Sequence, residues 1–448
     1  MVGADRALEI VEGALAVEGA DEVEATLFGE SGGLTRFADS VIHQHTERSD
    51  TQVRVRVVAG KRVAAATTNR LDRDSIAAAG KQALAMAKLS PPDELFPGLP
   101  GDFGASLLSA DDTAARFDEP TAAATPAWRA QHVAGVVRTA GDRPAAGFLS
   151  SAANEIALAN TRGVRRHGAF TVASFTCMLR SKDGSAHHES SARRVSDLAL
   201  EPITEDLASW ADRGRGASDV EPGTYPVILM PQAVAEFIQY LAYMGFGAKD
   251  VLNGESFLVD KAGAAVASPL VTVADDIAHP ASLGPAFDLE GVWRTRVATI
   301  DAGVATGPVY DTRTAAEAGA ATTGHATGSQ AFGPFPSNLV IPAGTANFED
   351  LVGGIDRGLL VRRFWYVNVV NQRETVLTGM TRDGLFLIED GKVAGPVRNL
   401  RFTQNVLGAL ESCSAVGDAL QCASSGWDSV VVPALRLGRF AFTSATSH

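Results

Sequence analysis

The stretch TQVRVRVV, residues 51–58, followed by AGK at 59–61 and RVAAATT at 62–68, sets the fold class. Val53, Val55 and Val57 fall on one side of an extended chain and Arg54 and Arg56 on the other. That is the period-two alternation of a half-buried strand. The Ala59-Gly60-Lys61 step turns the chain, and Arg62–Thr68 returns as a second strand. Asp72 or Asp74 then caps an Ala-rich helix running to about Lys88, with Ile76 and Leu84 as its larger packing residues. Ahead of the hairpin, residues 4–17 carry Leu8, Val11 and Leu15 at helical spacing with acids opposite. A helix, a meander and a second helix predict an α+β unit over residues 1–90.

Linker composition follows. Ser90-Pro91-Pro92, Pro97-Gly98 and Pro100-Gly101 crowd into a dozen residues, so 91–110 is expected to be a connector. A central α/β unit is expected over 111–218. It has a helix at 126–140, long strands with turns at Asn160–Gly163 and Lys182-Asp183-Gly184, and a polar helix at about 203–212. The third unit, 219–448, opens with a short apolar strand, Tyr225–Met230. Pro231 then starts a helix through about Met244, since proline is favoured in the first helical turn. Val234, Phe237, Ile238 and Leu241 share one face of that helix and are expected to be buried. The remainder reads as β-rich, with hairpin signals at Asp301-Ala-Gly303 and Asp390-Gly391. The fold class is therefore α+β, with a β-rich C-terminal domain.

The whole chain is 448 residues, 46% hydrophobic and 20% charged, enough to bury a sizeable core. Its 39 Lys and Arg against 52 Asp and Glu give a net charge of −13, which argues against non-specific binding to nucleic acid or to anionic membranes. Cys177, Cys413 and Cys422 are an odd number without C-x-x-C, the pattern of buried thiols in a reducing compartment. Asp5, Arg6, Glu9 and Glu12 interrupt any secretory apolar core, and no run reaches the ~18 apolar residues of a membrane span. The expectation is a soluble, cytoplasmic protein.

Few residue clusters suggest chemistry. His188-Glu189 lacks the second histidine of H-E-x-x-H and sits on a strand, where a solvated sheet face accounts for it. His43, His45 and Glu47 alternate along one face of a predicted strand and supply three possible metal ligands without a clear fourth. Asp275, Asp276 and His279 follow the apolar run Leu270–Val273, where acids commonly cap a turn. The glycine-rich run Thr322–Ser329 carries hydroxyls and His325, and could line a site. It matches neither phosphate-loop pattern. His325 is the candidate general base of this run.

Several ordered segments resemble the TldD/PmbA family of peptidases, also known as modulators of DNA gyrase. They are Ala267–Asp276, Phe287–Gly291 with Arg294, Thr323–Ala326, Ser337–Gly344, Glu349–Gly354, Leu377–Gly379, Gly384–Gly391 and Gly395–Leu400. The Val-Arg-Val-Arg strand also fits. The resemblance implies Arg294, Thr323, His325 and Asn338 as substrate-binding candidates. It also implies a dimer with an internal cavity that takes extended peptide. One branch of the family carries His-Glu-x-x-x-His on the helix opening the C-terminal domain and is the zinc-bearing peptidase; the PmbA (TldE-like) branch lacks the motif. Here Gln239, Tyr240 and Met244 stand where His, Glu and His would stand. Neither thioether nor phenol replaces imidazole or a general base for zinc. The resemblance thus implies a TldE-like subunit that binds no metal itself and works with a zinc-bearing TldD-like partner on unfolded or leader peptides. The alternatives are a non-enzymatic homodimeric peptide-binding or scaffold protein, or a hydrolase with a site near His325.

Overall fold

A computed structural model describes residues 1–424 and 426–446. The hairpin read from 51–68 is present. Strands β1 (Glu22–Ala38), β2 (Val41–Ala59) and β3 (Arg62–Thr68) form an antiparallel meander. Gly60 and Lys61 both take positive φ at the β2–β3 turn, the geometry that matches the twist of the flanking strands. Strands β4 (Ala145–Asn160), β5 (Arg165–Ser181) and β6 (Gly184–Ala192) continue the sheet, in the order β3-β2-β1-β4-β5-β6.

The connector at 91–110 therefore does not separate two sheets. β1 pairs with β4 from Glu24↔Asn160 to Phe37↔Gly147, so residues 1–90 and 111–218 build one six-stranded layer. Proline and glycine marked a real break in the chain, but backbone pairing between β1 and β4 leaves no trace in composition.

Helices cover one face of this sheet. Near β1–β3 they are α1 (Ala4–Gly13) and α2 (Arg73–Leu89), the latter capped by Asp72, whose carboxylate accepts from the Ser75 N–H. Two short helices, α3 (Ala110–Ala114) and α4 (Glu119–Ala122), lead to α5 (Pro126–Ala140), and α6 (Leu200–Arg213) packs beside it. Val53, Val55 and Val57 point into the core formed with α1 and α2. The opposite face meets the C-terminal domain. Arg56 there is buried between Glu24 and Glu290, at 3.0 and 3.2 Å.

The C-terminal domain opens with β7 (Gly223–Leu229) and α7 (Pro231–Tyr243). Its strands are β8 (Val273–Asp275), β9 (Val297–Asp301), β10 (Val304–Ala305), β11 (Asn338–Val340), β12 (Arg357–Asn371), β13 (Val376–Glu389), β14 (Lys392–Pro396), β15 (Leu400–Asn405), β16 (Cys413–Ala423) and β17 (Ser429–Ala445). The path β17-β15-β13-β12-β7 closes on itself, because β7 pairs in parallel with β12 and antiparallel with β17. Closure removes exposed strand edges. The expected turns are in place: Ala302 and Gly303, and Asp390 and Gly391, all have positive φ. The apolar face of α7 packs on this ring, with Val234, Phe237, Ile238 and Leu241 each at most 1% exposed. Residues 252–337 are mostly irregular, with only short strands, less β-rich than the sequence suggests. Among the described residues, no helix is long and apolar enough to cross a membrane.

Candidate functional site

The face of α7 opposite its apolar stripe carries Gln232, Glu236, Gln239 and Tyr240, spaced four, three and one apart. They border a cavity of about 450 Å³ between the two domains. Across it stand His187 and Glu189 of β6, Arg363 and Trp365 of β12, and Asp428 before β17. His187 and Glu189 are two apart on a strand, so they share a face. A neighbouring hollow of about 430 Å³ over Gly32, Ser150, Ser174 and Trp427 shares Glu189 and Ser424 with it.

The cavity's charges are poorly matched. Arg363 lies 3.3 Å from Asp383 and stacks 4.8 Å over the Trp365 ring. Ser185 donates to the same Asp383 at 2.7 Å. Gln232 Nε2 lies 2.7 Å from His187 Nδ1. Burial, then repulsion from Arg363, depresses the His187 imidazole to about 4, so the ring is neutral at pH 7. Its Nδ1 therefore accepts from the Gln232 amide. Burial pushes the Glu236 carboxyl up to about 7; Arg363 opposes the change and Glu189 adds to it. Burial likewise raises Glu189. A carboxyl that titrates near neutrality can hold or release a proton at working pH.

The α7 positions do not fit zinc. Gln239 is exposed towards the cavity, Tyr240 donates its hydroxyl to the Val367 carbonyl at 2.7 Å, and Met244 is fully buried in the apolar core. Among the described residues, no group of three or more His, Cys, Asp or Glu is placed to hold a metal ion.

The substrate-binding candidates read from the sequence gather elsewhere, around Asp275. His325 is wholly buried, with Nδ1 2.8 Å from Thr323 Oγ1 and Nε2 3.1 Å from Asp275 Oδ1. That second contact sets the imidazole against the carboxylate without hydrogen-bond alignment. Asn338 donates its backbone N–H to Asp275 Oδ2 at 2.7 Å, and its amide to Leu283 O and Ser429 Oγ. Thr323 also accepts from the Tyr310 N–H. Arg294 is 6% exposed and reaches Ser337 Oγ at 3.5 Å. Burial alone would raise the Asp275 carboxyl, but His325, Arg294 and the Asn338 N–H outweigh it and hold the group below its ordinary range. Sequence reasoning thus found four residues that the fold brings together, but in a closed node. His325, as a general base, would have no exposed path to substrate.

The other candidates are scattered. His188-Glu189 does lie on a strand, yet its face is not solvated. Glu189 lines the cavity, and burial, then Arg362, depresses the His188 ring to about 4 on the other side. The domain packing that covers β6 is invisible in a local pattern. His45 bonds Thr35 Oγ1 at 2.9 Å, Glu47 is taken by Arg129 at 3.2 Å, and His43 is exposed. Asp276 accepts from the Ala278 N–H and pairs with Arg296 at 3.2 Å, as a turn-capping acid would. His279 Nδ1 accepts from the Ala281 N–H. The three cysteines are buried and unpaired, and burial lifts Cys177, Cys413 and Cys422 to about 12, 11 and 12. Glu236, His187 and Arg363 are not singled out in the sequence, and Glu189 reads there only as part of a solvated strand face. The available signal was Glu236 itself, an acid on the polar side of a helix whose other face is apolar.

Residues 222–444 match the PmbA/TldA metallopeptidase C-terminal domain, and residues 29–87 match PmbA/TldA metallopeptidase domain 1. A metalloprotease of Methanothermobacter thermautotrophicus is 26% identical over 236 residues, 51% of each chain. A metalloprotease of Synechocystis is 26% identical over 251 residues, 53% of this chain and 51% of that one. The chain spans about half the length of the curated relatives it matches. The crystal structure of TldE from Thermococcus kodakarensis superposes with a TM-score of 0.88 at 22% identity, over 97% of this chain and 99% of that one. This likeness concerns the fold.

Proposed function

The chain belongs to the PmbA/TldD metallopeptidase family, and we propose that it is the TldE-like subunit of a two-subunit peptidase whose zinc-bearing partner supplies the hydrolytic chemistry. The observation that carries this reading is α7. Its three motif positions hold an amide, a phenol already bonded to a carbonyl, and a thioether turned into the core. None supplies the nitrogen or carboxylate donors that zinc takes.

This chain's own contribution is to receive and position extended peptide. The cavity offers amide donors and acceptors at Gln232 and Gln239, a guanidinium at Arg363 and carboxyls at Glu189 and Glu236. The adjoining hollow over Gly32 and Ser150 leaves room beside the sheet. Backbone groups of any extended sequence can satisfy such a surface.

The test is reconstitution. The purified chain alone should leave an unfolded peptide uncut. Added to a family member bearing His-Glu-x-x-x-His, it should permit cleavage that a chelator abolishes. Chelator-sensitive cleavage by this chain alone would overturn the proposal. Chelator-insensitive cleavage lost on His325→Ala would replace it with a hydrolase reading.

A further inference from the structure

A second cavity, about 160 Å³, lies where β2, the connector residue Phe96 and the loop around Gly328 meet. Four cations and two acids border it. Arg56 is answered by Glu24 and Glu290, and Arg313 by Asp93 at 2.7 Å and Glu317 at 2.9 Å. Asp311 is occupied in capping a helix, accepting from the Thr314 N–H and hydroxyl, both at 2.7 Å.

Two cations remain. Arg54 Nη2 donates to Gly328 O at 3.0 Å, and Lys249 Nζ donates to Gln330 O at 3.3 Å and to Ala331 O. Both hold neutral carbonyls of one loop, and neither forms an ion pair with a described acid. Burial, then repulsion from Arg56, holds the Arg54 guanidinium below its ordinary range, with Glu24 and Glu290 offsetting only part. The loop is fitted to this arrangement. Gly328 has φ +69°, and a Cβ there would stand 3.2 Å from Arg54 Nη1. Gln330 is tied in turn to Asp93 at 2.5 Å.

We propose that this cavity binds a compact anion, a phosphate or a short carboxylate, between Arg54 and Lys249 beside the Gly328 loop. Charge-assisted bonds to both cations would replace bonds to neutral carbonyls. The volume, about 160 Å³, is below the ~300 Å³ of pockets that take drug-sized ligands, which favours an ion of few atoms over a nucleotide or a peptide segment.

The experiment is isothermal titration of the full chain with inorganic phosphate and, separately, succinate, with chloride holding ionic strength constant. One anion should bind saturably at one site, and which one does so identifies the phosphoryl or carboxylate source. Arg54→Gln and Lys249→Met should each weaken binding by about tenfold or more, whereas the exposed control Arg36→Gln should not. If Arg54→Gln does not fold, as a melt would reveal, Lys249→Met carries the comparison alone. No saturable binding of either anion to the unmodified chain overturns the proposal. So does unchanged binding in the folded variants.

Discussion

Two buried polar regions of this molecule use the same residue types to opposite effect. The node at Asp275 sets acid against base: His325 and Arg294 lie beside the carboxylate, which is held ionised below its ordinary range. The cavity at α7 sets acid beside acid. Burial raises both Glu236 and Glu189, with Glu189 adding to the rise at Glu236; Arg363 is shared with Asp383, and the nearest imidazole is neutral. Asp428 stands between the two, bordering the cavity while feeling both Arg294 and Asp275. The first arrangement holds loops together. The second stores unmet electrostatic demand in a space open to a ligand, as functional sites do.

The largest difference should appear on removing the acid from the node. Asp275→Ala takes the acceptor from the Asn338 N–H and leaves the buried His325 imidazole without the carboxylate 3.1 Å away. Breaking a buried pair from one side costs about 3–5 kcal/mol, so urea denaturation should show a loss of that order. A loss below about 1 kcal/mol would mean that the node behaves like a surface pair and that the contrast with the cavity is false.

Removing the acid from the cavity should do the reverse. Glu236 binds its proton more tightly folded than unfolded, moving from an ordinary 4.5 to about 7. The folded state is therefore unpenalised below pH 4.5, loses stability as pH rises through this window, and bears the full penalty above 7. The penalty is at most roughly 3 kcal/mol. Glu236→Gln should accordingly be near neutral at pH 4 and stabilising at pH 8, by up to that amount. Melts of both proteins across the range give the curve. A gain that does not change with pH would show that Glu236 ionises outside this window.

What was legible in the sequence follows the same division. The β2–β3 hairpin, the Asp72 cap and the buried stripe of α7 are local patterns, and each is present in the structure. The Asp275 node was partly legible because Arg294, Thr323, His325 and Asn338 lie in segments that carry a family resemblance. The cavity was not. His187 and Glu189, Glu236, and Arg363 come from three elements far apart in the chain, and their meeting depends on how the two domains pack. The polar side of β6 resembles an ordinary wet strand face until the C-terminal domain is laid against it. The β1–β4 pairing was hidden for the same reason, since register between distant strands has no local signature.

The smallest effect concerns how wet the cavity is. Tyr240 stands at a motif position, half-buried, and its hydroxyl donates to the Val367 carbonyl at 2.7 Å. Tyr240→Phe removes that donor and keeps the ring. A neutral hydrogen bond of this kind contributes about 1 kcal/mol, whereas a carbonyl left dry and unpaired costs about 1–3 kcal/mol. The cavity is polar and roomy, so water should replace the lost hydroxyl and the variant should lose about 1 kcal/mol in urea. A loss near 3 kcal/mol would mean that Val367 O is sealed like the Asp275 node. The cavity's unmet charges would then face dry protein, a peptide could not reach them without an opening motion, and the raised Glu236 carboxyl would report burial alone.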